Sequence, residues 1–365
     1  MSEIRACTAD DIPAVARIFQ KAHRDPRKPA PPSLEACLKE LFFGHPWYDP
    51  ELSSRVYIAP DGSVGGFIGV VPLHMSYRGS PVRAAVPTSL AVERPDLDPL
   101  AGAKLVRSFL NGPQEISISE PANYLSIGMW ERLGGQSIPS ESMEWLRVFR
   151  PAGLALALLA ERFAPAMLGR PIGQLLDRAT DRFTGDAARF SAKERSYAHD
   201  ADVGDDVLMQ HLPTFAATYP LHPDWDPVAL KWMLGHASHH HARGPLYRRM
   251  VYGKNDKPLG CYLYQGRPGR VAWVLQILAL PDALDGVLDS LFAHAYRHGS
   301  VALKGRTQQR LLDPLLKRGC IFYRRASAVV HSRNPELLAA VRSGGAITSG
   351  FAAESWMRLI GEKFA

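Results

Sequence analysis

His236 and the run His239-His240-His241 gather four imidazoles within six positions, the arrangement most suggestive of a metal site. Consecutive side chains cannot all face one ion on a regular element, and no carboxylate or cysteine nearby completes a ligand set at a familiar spacing. An exposed turn before Gly244-Pro245 is the expected role, and no metal is expected. Cys7, Cys37, Cys261 and Cys320 are far apart and lack CxxC spacing, so they read as reduced thiols. His222-Pro223-Asp224-Trp225-Asp226 carries polar groups that could serve a pocket, but Asp226-Pro227 is better explained as a helix start. The strongest charge signal lies between Arg297 and Arg333, where nine Lys or Arg face a single acid, Asp313. Clustered cations of this kind attract phosphates, an acidic carrier protein or RNA. The stacked aromatics of an RNA module are missing, which makes nucleic acid the least favoured partner.

Such residues act only if a fold positions them. The 365 residues, 46% hydrophobic and 22% charged, suit an ordinary globular protein of two domains and exclude disordered and fibrous classes. The net charge of +7 fits an anionic partner without naming it. Residues 1–30 contain Asp10 and Asp11 and no apolar run of signal-peptide length, and no stretch reaches the ~18 apolar residues of a membrane span. A cytoplasmic protein is expected.

The pattern of the first half reads β-α-α-β-β-β-α-β-α-β. Ile4 to Cys7 is extended, Thr8 caps a helix with Asp10 and Asp11 in its first turn, and Leu34 to Phe43 forms a second helix. Arg55–Ala59, Gly65–Tyr77 and Val82–Glu93 form an antiparallel meander, punctuated by Pro60-Asp61-Gly62 and Arg78-Gly79-Ser80-Pro81. Leu100–Leu110 is a helix, Glu115–Ser119 a strand, and Ala122–Leu133 a helix stopped by Gly134-Gly135. Much of this order recurs in the second half, from Tyr247 to Val330. Pro95 and Gly134 are 39 residues apart and Pro281 and Gly319 are 38 apart, which points to duplication of one α/β unit. Expected domains are residues 1–150, a helical insert at 151–195, and 196–365. Gly153 to Ala160 is apolar on every face and arginines follow it, the composition of a packed helix pair or of a helix that meets a membrane surface or a partner.

The stretch Ile4-Arg5-Ala6-Cys7-Thr8-Ala9-Asp10-Asp11, the strand Ser89-Leu90-Ala91-Val92-Glu93, the helix Leu100–Leu110 and the ending Met129-Trp130-Glu131-Arg132-Leu133-Gly134 resemble the GCN5-related N-acetyltransferase (GNAT) superfamily. The likeness is carried by residues 1–150. Over 205–335 it rests on element order and the repeat, so the whole chain resembles a tandem protein. The implied fold is α/β, two GNAT-like units each with a mixed, mostly antiparallel sheet flanked by helices.

The resemblance implies an N-acyltransferase that passes an acyl group from acetyl-CoA or another acyl-CoA to a small-molecule or peptide amine by direct attack on the thioester. In that family pantetheine lies along an exposed strand edge, here Leu90, Ala91 and Val92, while the pyrophosphate meets a helix N-terminus, here Gly102, Ala103 and Lys104. Asn123 joins this cofactor set. Base candidates are Glu93 and Glu120, each at the end of a strand, and Tyr124 is a candidate acid because Trp130 stands where the family usually has a tyrosine. His45 to Asp49 and the loop after the first helix are expected on the acceptor side. The usual glycine-rich phosphate loop is reduced here to Pro99-Leu100-Ala101-Gly102-Ala103, and the second copy places Asp282 and Asp285 at the equivalent point. These departures leave two further readings, a donor borne by acyl-carrier protein or aminoacyl-tRNA, and a binding protein without catalysis.

Overall fold

A long hairpin dominates the first sheet: β3 (Val64–Tyr77) and β4 (Ser80–Val92) pair antiparallel from Gly66↔Val92 to Tyr77↔Ser80. The turn between them uses Gly79 at φ +85, a backbone state glycine adopts without strain. Nearly every side chain of β3 is buried, so helices cover both of its faces. Gly69 is required where α2 (Pro32–Phe43) crosses: a Cβ there would lie 2.4 Å from Phe42 Cζ.

The computed structural model describes residues 3–162, 199–324 and 327–364. It divides into two units that interleave along the chain: residues 3–142, 219–236 and 327–364 form the first, and the described residues of 143–218 and 237–324 the second.

The first unit begins with β1 (Glu3–Ala6), α1 (Ile12–His23), α2 and β2 (Arg55–Ile58). After the hairpin come α3 (Ala101–Leu110), β5 (Ile116–Ala122), α4 (Tyr124–Arg132) and β6 (Gln136–Ser137). The Asp11 carboxylate accepts from Thr8 N at 2.8 Å and from Arg5 at 2.7 Å, which fixes the turn into α1. The second unit contains β7 (Glu144–Val148), α5 (Pro151–Arg162), β8 (His199–Asp202), α6 (Asp205–Ala216), β10 (Leu246–Tyr252), β11 (Pro258–Gln265), β12 (Val271–Ala279), α8 (Leu284–Arg297), β13 (Ala302–Arg306), α9 (Leu312–Lys317) and β14 (Ile321–Tyr323). The first unit regains the chain at β9 (Leu221–Pro223), most of α7 (Pro227–Ser238), β15 (Ser327–Ser332) and α10 (Pro335–Arg342). The two mixed, mostly antiparallel sheets and their helices are the architecture expected from the sequence.

The sheet orders are β1-β2-β3-β4-β5-β15-β6 and β14-β7-β13-β12-β11-β10-β8. Each unit therefore receives one inner strand from the sequence of the other half. β15 pairs with both β5 and β6, and its Val329 is fully buried among Leu105, Phe109 and Trp130 in the first core. β7 pairs with β13 and β14, and its Trp145 is fully buried against Phe292, Leu303 and Leu315 in the second. This exchange is why a serial split of the chain near residue 150 does not describe the packing.

The repeat is visible in backbone detail. After α4 the amide of Gly135 bonds to Trp130 O at 2.8 Å, and after α9 the amide of Cys320 bonds to Leu315 O at 3.1 Å. Both closures follow a left-handed glycine, Gly134 at φ +91 and Gly319 at φ +66, the same helix stop in each unit. β4 and β12 also each carry one extra residue against their antiparallel neighbours, near Ser89 and at Leu275. Those bulges lie six residues before Pro95 and six before Pro281.

One expectation is corrected. His240 is fully buried and His236 is 3% exposed, so the histidine run is not one exposed turn. His236 faces inward from α7, its ring 4.3 Å from Trp232 and 5.7 Å from Trp356. No cluster able to hold a metal occurs among the described residues. Of the 151–195 segment only α5 is described; the arginine-bearing remainder lies outside the described residues.

Because each exchanged strand completes one core, Val329→Asp will cost about 3–5 kcal/mol by burying an unpaired charge, and Trp145→Ala a similar amount through a cavity. Hydrogen exchange is expected to accelerate along β5 in the first variant and along β13 in the second. Acceleration of the same segments by both would contradict the exchange.

Candidate functional site

Strands β4 and β5 run parallel for only two residue pairs, Ala84↔Ile116 and Ala85↔Ser117. Beyond that point β4 stays with β3 while β5 stays with β15, so the two part. The bulge accentuates the divergence, with Ser89 at φ +57. The amide of Glu93 bonds back to Gly65 O at 2.8 Å, and strand alternation turns the Val92 amide to the opposite side, into the gap. An extended chain could pair with that edge.

The gap is the wall of a cavity of about 800 Å³ within the first unit. Thr88 to Val92 line one side, and Ser119, Pro121 and Asn123 line the other. Gly102 and Val106 of α3 and Tyr124, Gly128, Met129 and Trp130 of α4 complete the floor and mouth. The glycines keep it wide: a Cβ on Gly128 would meet nothing within 4 Å, and one on Gly102 would approach Met129 Sδ only to 3.6 Å. Trp130 is 1% exposed against Phe109, a packing residue that forms part of the cavity floor.

The residues proposed from the sequence separate clearly. Leu90, Ala91, Val92, Gly102, Asn123 and Tyr124 come together at this cavity. Asn123 caps α4, its side chain accepting from Ser126 N at 2.9 Å. Ala103 and Lys104 turn away from the lining, and Lys104 Nζ lies 2.6 Å from Asp98 Oδ2 and over the Tyr57 ring at 5.8 Å. Asp98 also accepts from Leu100 N at 3.0 Å and from Tyr57 at 2.8 Å, so a carboxylate occupies the approach to α3. The bonds from Lys104 and Tyr57 hold its pKa below the usual carboxylate range.

Glu93 and Glu120 are placed differently from the strand-end mouth positions expected of them. Glu93 follows β4 and is gripped by Arg17 Nη1 at 2.6 Å and Lys21 Nζ at 2.8 Å. Burial opposes its ionisation, but these two cations outweigh that and lower its pKa. Glu120 lies within β5 at 1% exposure, outside the cavity lining. Complete loss of solvent, and then the charge of Glu120, push the Glu141 carboxyl up to about 8, and Glu141 accepts a hydrogen bond from the Thr348 hydroxyl.

Two residues with acid–base chemistry that the sequence reading did not single out do line the cavity. Glu354, 5% exposed, accepts from the Thr88 hydroxyl at 2.5 Å, one residue before the bulge. His23, the last residue of α1, lines the cavity beside Leu90. Desolvation, and then the charge of Arg24, lower its pKa. Of the residues that follow α1, Arg24 lines the cavity and the rest of the loop lies outside its lining. The expected His45–Asp49 stretch is elsewhere: Trp47 Nε1 bonds to Asp226, and His45 packs 4.5 Å from Trp232. No short sequence motif marks Glu354, since it is separated from Thr88 by 266 positions.

Comparison with solved structures gives high-probability matches over almost the whole chain. A probable N-acyltransferase from Enterococcus faecalis V583 aligns at TM-score 0.60 and 10% identity, covering 91% of this chain and 73% of that one. The fold is that of the GCN5-related N-acetyltransferases, in tandem. GCN5-related N-acetyltransferases from Anabaena variabilis ATCC 29413 and Kribbella flavida align at TM-scores of 0.57 and 0.56, with 12% and 11% identity. They cover 92% and 94% of this chain and 74% of each neighbour. No family model and no curated protein matches the sequence.

The Glu141 carboxyl gives a pH signature. Its pKa is raised on folding, so the unfolded chain releases this proton above about pH 4.5 while the folded chain keeps it to about pH 8. Stability is therefore expected to fall by up to about 1.4 kcal/mol per pH unit across that window from this group. Glu141→Gln should remove the slope and raise the melting temperature relative to the parent at pH 8. Equal pH profiles for the two proteins would contradict it.

Proposed function

We propose that the first unit is an N-acyltransferase that binds an acyl-CoA along β4 and passes the acyl group to an amine. The single observation that carries this reading is the cavity formed where β4 leaves β5, with an unpaired strand edge on one wall and acid–base residues beside its bulge. The name of one structural neighbour, a probable N-acyltransferase, agrees with it.

Leu90, Ala91 and Val92 offer backbone groups to the amides of pantetheine. The first-turn amides of Gly102 and Ala103 face the phosphate end, because a helix start has donors without intrahelical acceptors. The buried Glu354 carboxylate attracts a cationic amine to the bulge, and His23 takes its first proton. The free amine attacks the thioester carbonyl, the C–N bond forms and the C–S bond breaks. The nitrogen's surplus proton goes to the departing sulfur, with the Tyr124 phenol at the mouth as the relay. Orientation and proton transfer supply most of the rate in such a step. The acceptor is a small-molecule or peptide amine.

A second reading follows from Asp98. Its carboxylate and the exposed Leu97, Leu100 and Leu125 give the mouth an acidic and apolar rim where a nucleotide's phosphates would lie. A donor carried by an acyl-carrier protein brings pantetheine without that nucleotide, so it does not need the phosphate position that the Asp98 carboxylate approaches.

Thiol release from acetyl-CoA and from acetyl-pantetheine, with a panel of amines, separates the two donors. Acetyl-CoA is expected to be used at least tenfold more efficiently, and equal use would favour the carrier. His23→Gln should lower kcat by about 10²-fold or more, while Glu354→Gln should act mainly on KM for the amine. Gly102→Phe, which fills the cavity between Val92 and Met129, is expected to abolish turnover with melting unchanged. Full activity in that variant would remove the cavity from the mechanism.

A further inference from the structure

The second unit repeats the splay but fills it with different chemistry. β12 and β13 run parallel over Val271↔Ala302, Ala272↔Leu303 and Trp273↔Lys304, after which β12 keeps only β11 and β13 only β7. Matching the two units at their bulges places Trp273 where the first unit has Pro87. Their parallel ladders then match Lys304 with Ser119 and Arg306 with Pro121. Pro87, Ser119 and Pro121 line the acyl-CoA cavity of the first unit. The same three points in the second unit thus bear an indole, an ammonium and a guanidinium.

We infer that this second splay is an anion-binding site for a phosphate-bearing ligand, built on Trp273, Lys304, Arg306 and Arg243. Three cations surround one ring: Arg243, Lys304 and Arg306 lie 5.0, 5.3 and 5.8 Å from the Trp273 centroid. Trp273 is only 8% exposed, and its indole N–H is buried with no hydrogen-bond partner among the described residues. A buried donor without an acceptor costs about 1–3 kcal/mol, which an anionic oxygen would offset. Arg306 is also oriented from behind: Glu144 Oε1 lies 3.5 Å from its Nη1, and Tyr323 donates to the other Glu144 oxygen at 2.7 Å. Trp145 Nε1 holds the Arg306 carbonyl at 3.1 Å. Lys304 and Arg306 belong to the basic run 297–333 that the sequence made conspicuous, so part of that charge gains a defined place.

The site can be tested in the full chain labelled with 5-fluorotryptophan, with the Trp273 resonance assigned from Trp273→Phe. Inorganic pyrophosphate, added at constant ionic strength, is expected to shift that resonance saturably. Lys304→Gln and Arg243→Gln, at half-buried positions that should preserve folding, are each expected to weaken the affinity at least about tenfold. Gly102→Phe in the first unit should leave it unchanged. A parallel titration with adenosine 3′,5′-bisphosphate identifies the source: tighter binding than pyrophosphate assigns a nucleotide, and equal binding a free phosphate. A Trp273 resonance that does not move at millimolar pyrophosphate, or that moves equally in Lys304→Gln, would overturn the inference.

Discussion

The structure depends on a separation between two strands. β4 and β5 share only two residue pairs, after which each keeps a different partner and their facing edges have no mutual hydrogen bonds. Backbone donors and acceptors without partners carry an energetic cost inside a protein, and a bound extended molecule relieves it. The cleft is thus chemically prepared for a ligand with peptide-like amides before any side chain is considered. The bulge at Ser89 and the glycines at 102 and 128 then determine how wide it is.

Keeping that separation open requires firm support on both sides. β4 is fixed through its long ladder to β3, and β5 is fixed by β15, which arrives from near the end of the chain and brings Val329 into the core. The second unit uses β7 in the same way, with Trp145 as the buried element. Duplication followed by divergence explains why the two splays share geometry but not chemistry. At matched points one carries Pro87, Ser119 and Pro121, whereas the other carries an indole with cations around it.

Local patterns made the first half legible. The Thr8–Asp11 turn, the meander and the glycine stop at Gly134 are determined by neighbours in sequence, and the strand edge Leu90–Val92 follows from them. The strand exchange was not legible, because β6, β7, β14 and β15 are short extended segments whose partners are decided by distant packing. Glu93 and Glu120 looked alike as strand-end carboxylates. Their difference arises from Arg17 and Lys21, supplied by α1 to one, and from complete burial of the other. Glu354 was hidden for a related reason: it meets Thr88 only through the folding of the C-terminal segment.

The central claim is that the β4 edge of the first unit receives the pantetheine arm. Residue-resolved amide exchange, recorded with and without saturating acetyl-CoA, tests it most directly. Slower exchange at Leu90 and Val92, with the matching β12 residues Gln276 and Leu278 unaffected, is the result the account requires. Unchanged exchange at Leu90 and Val92 with acetyl-CoA bound elsewhere would contradict it.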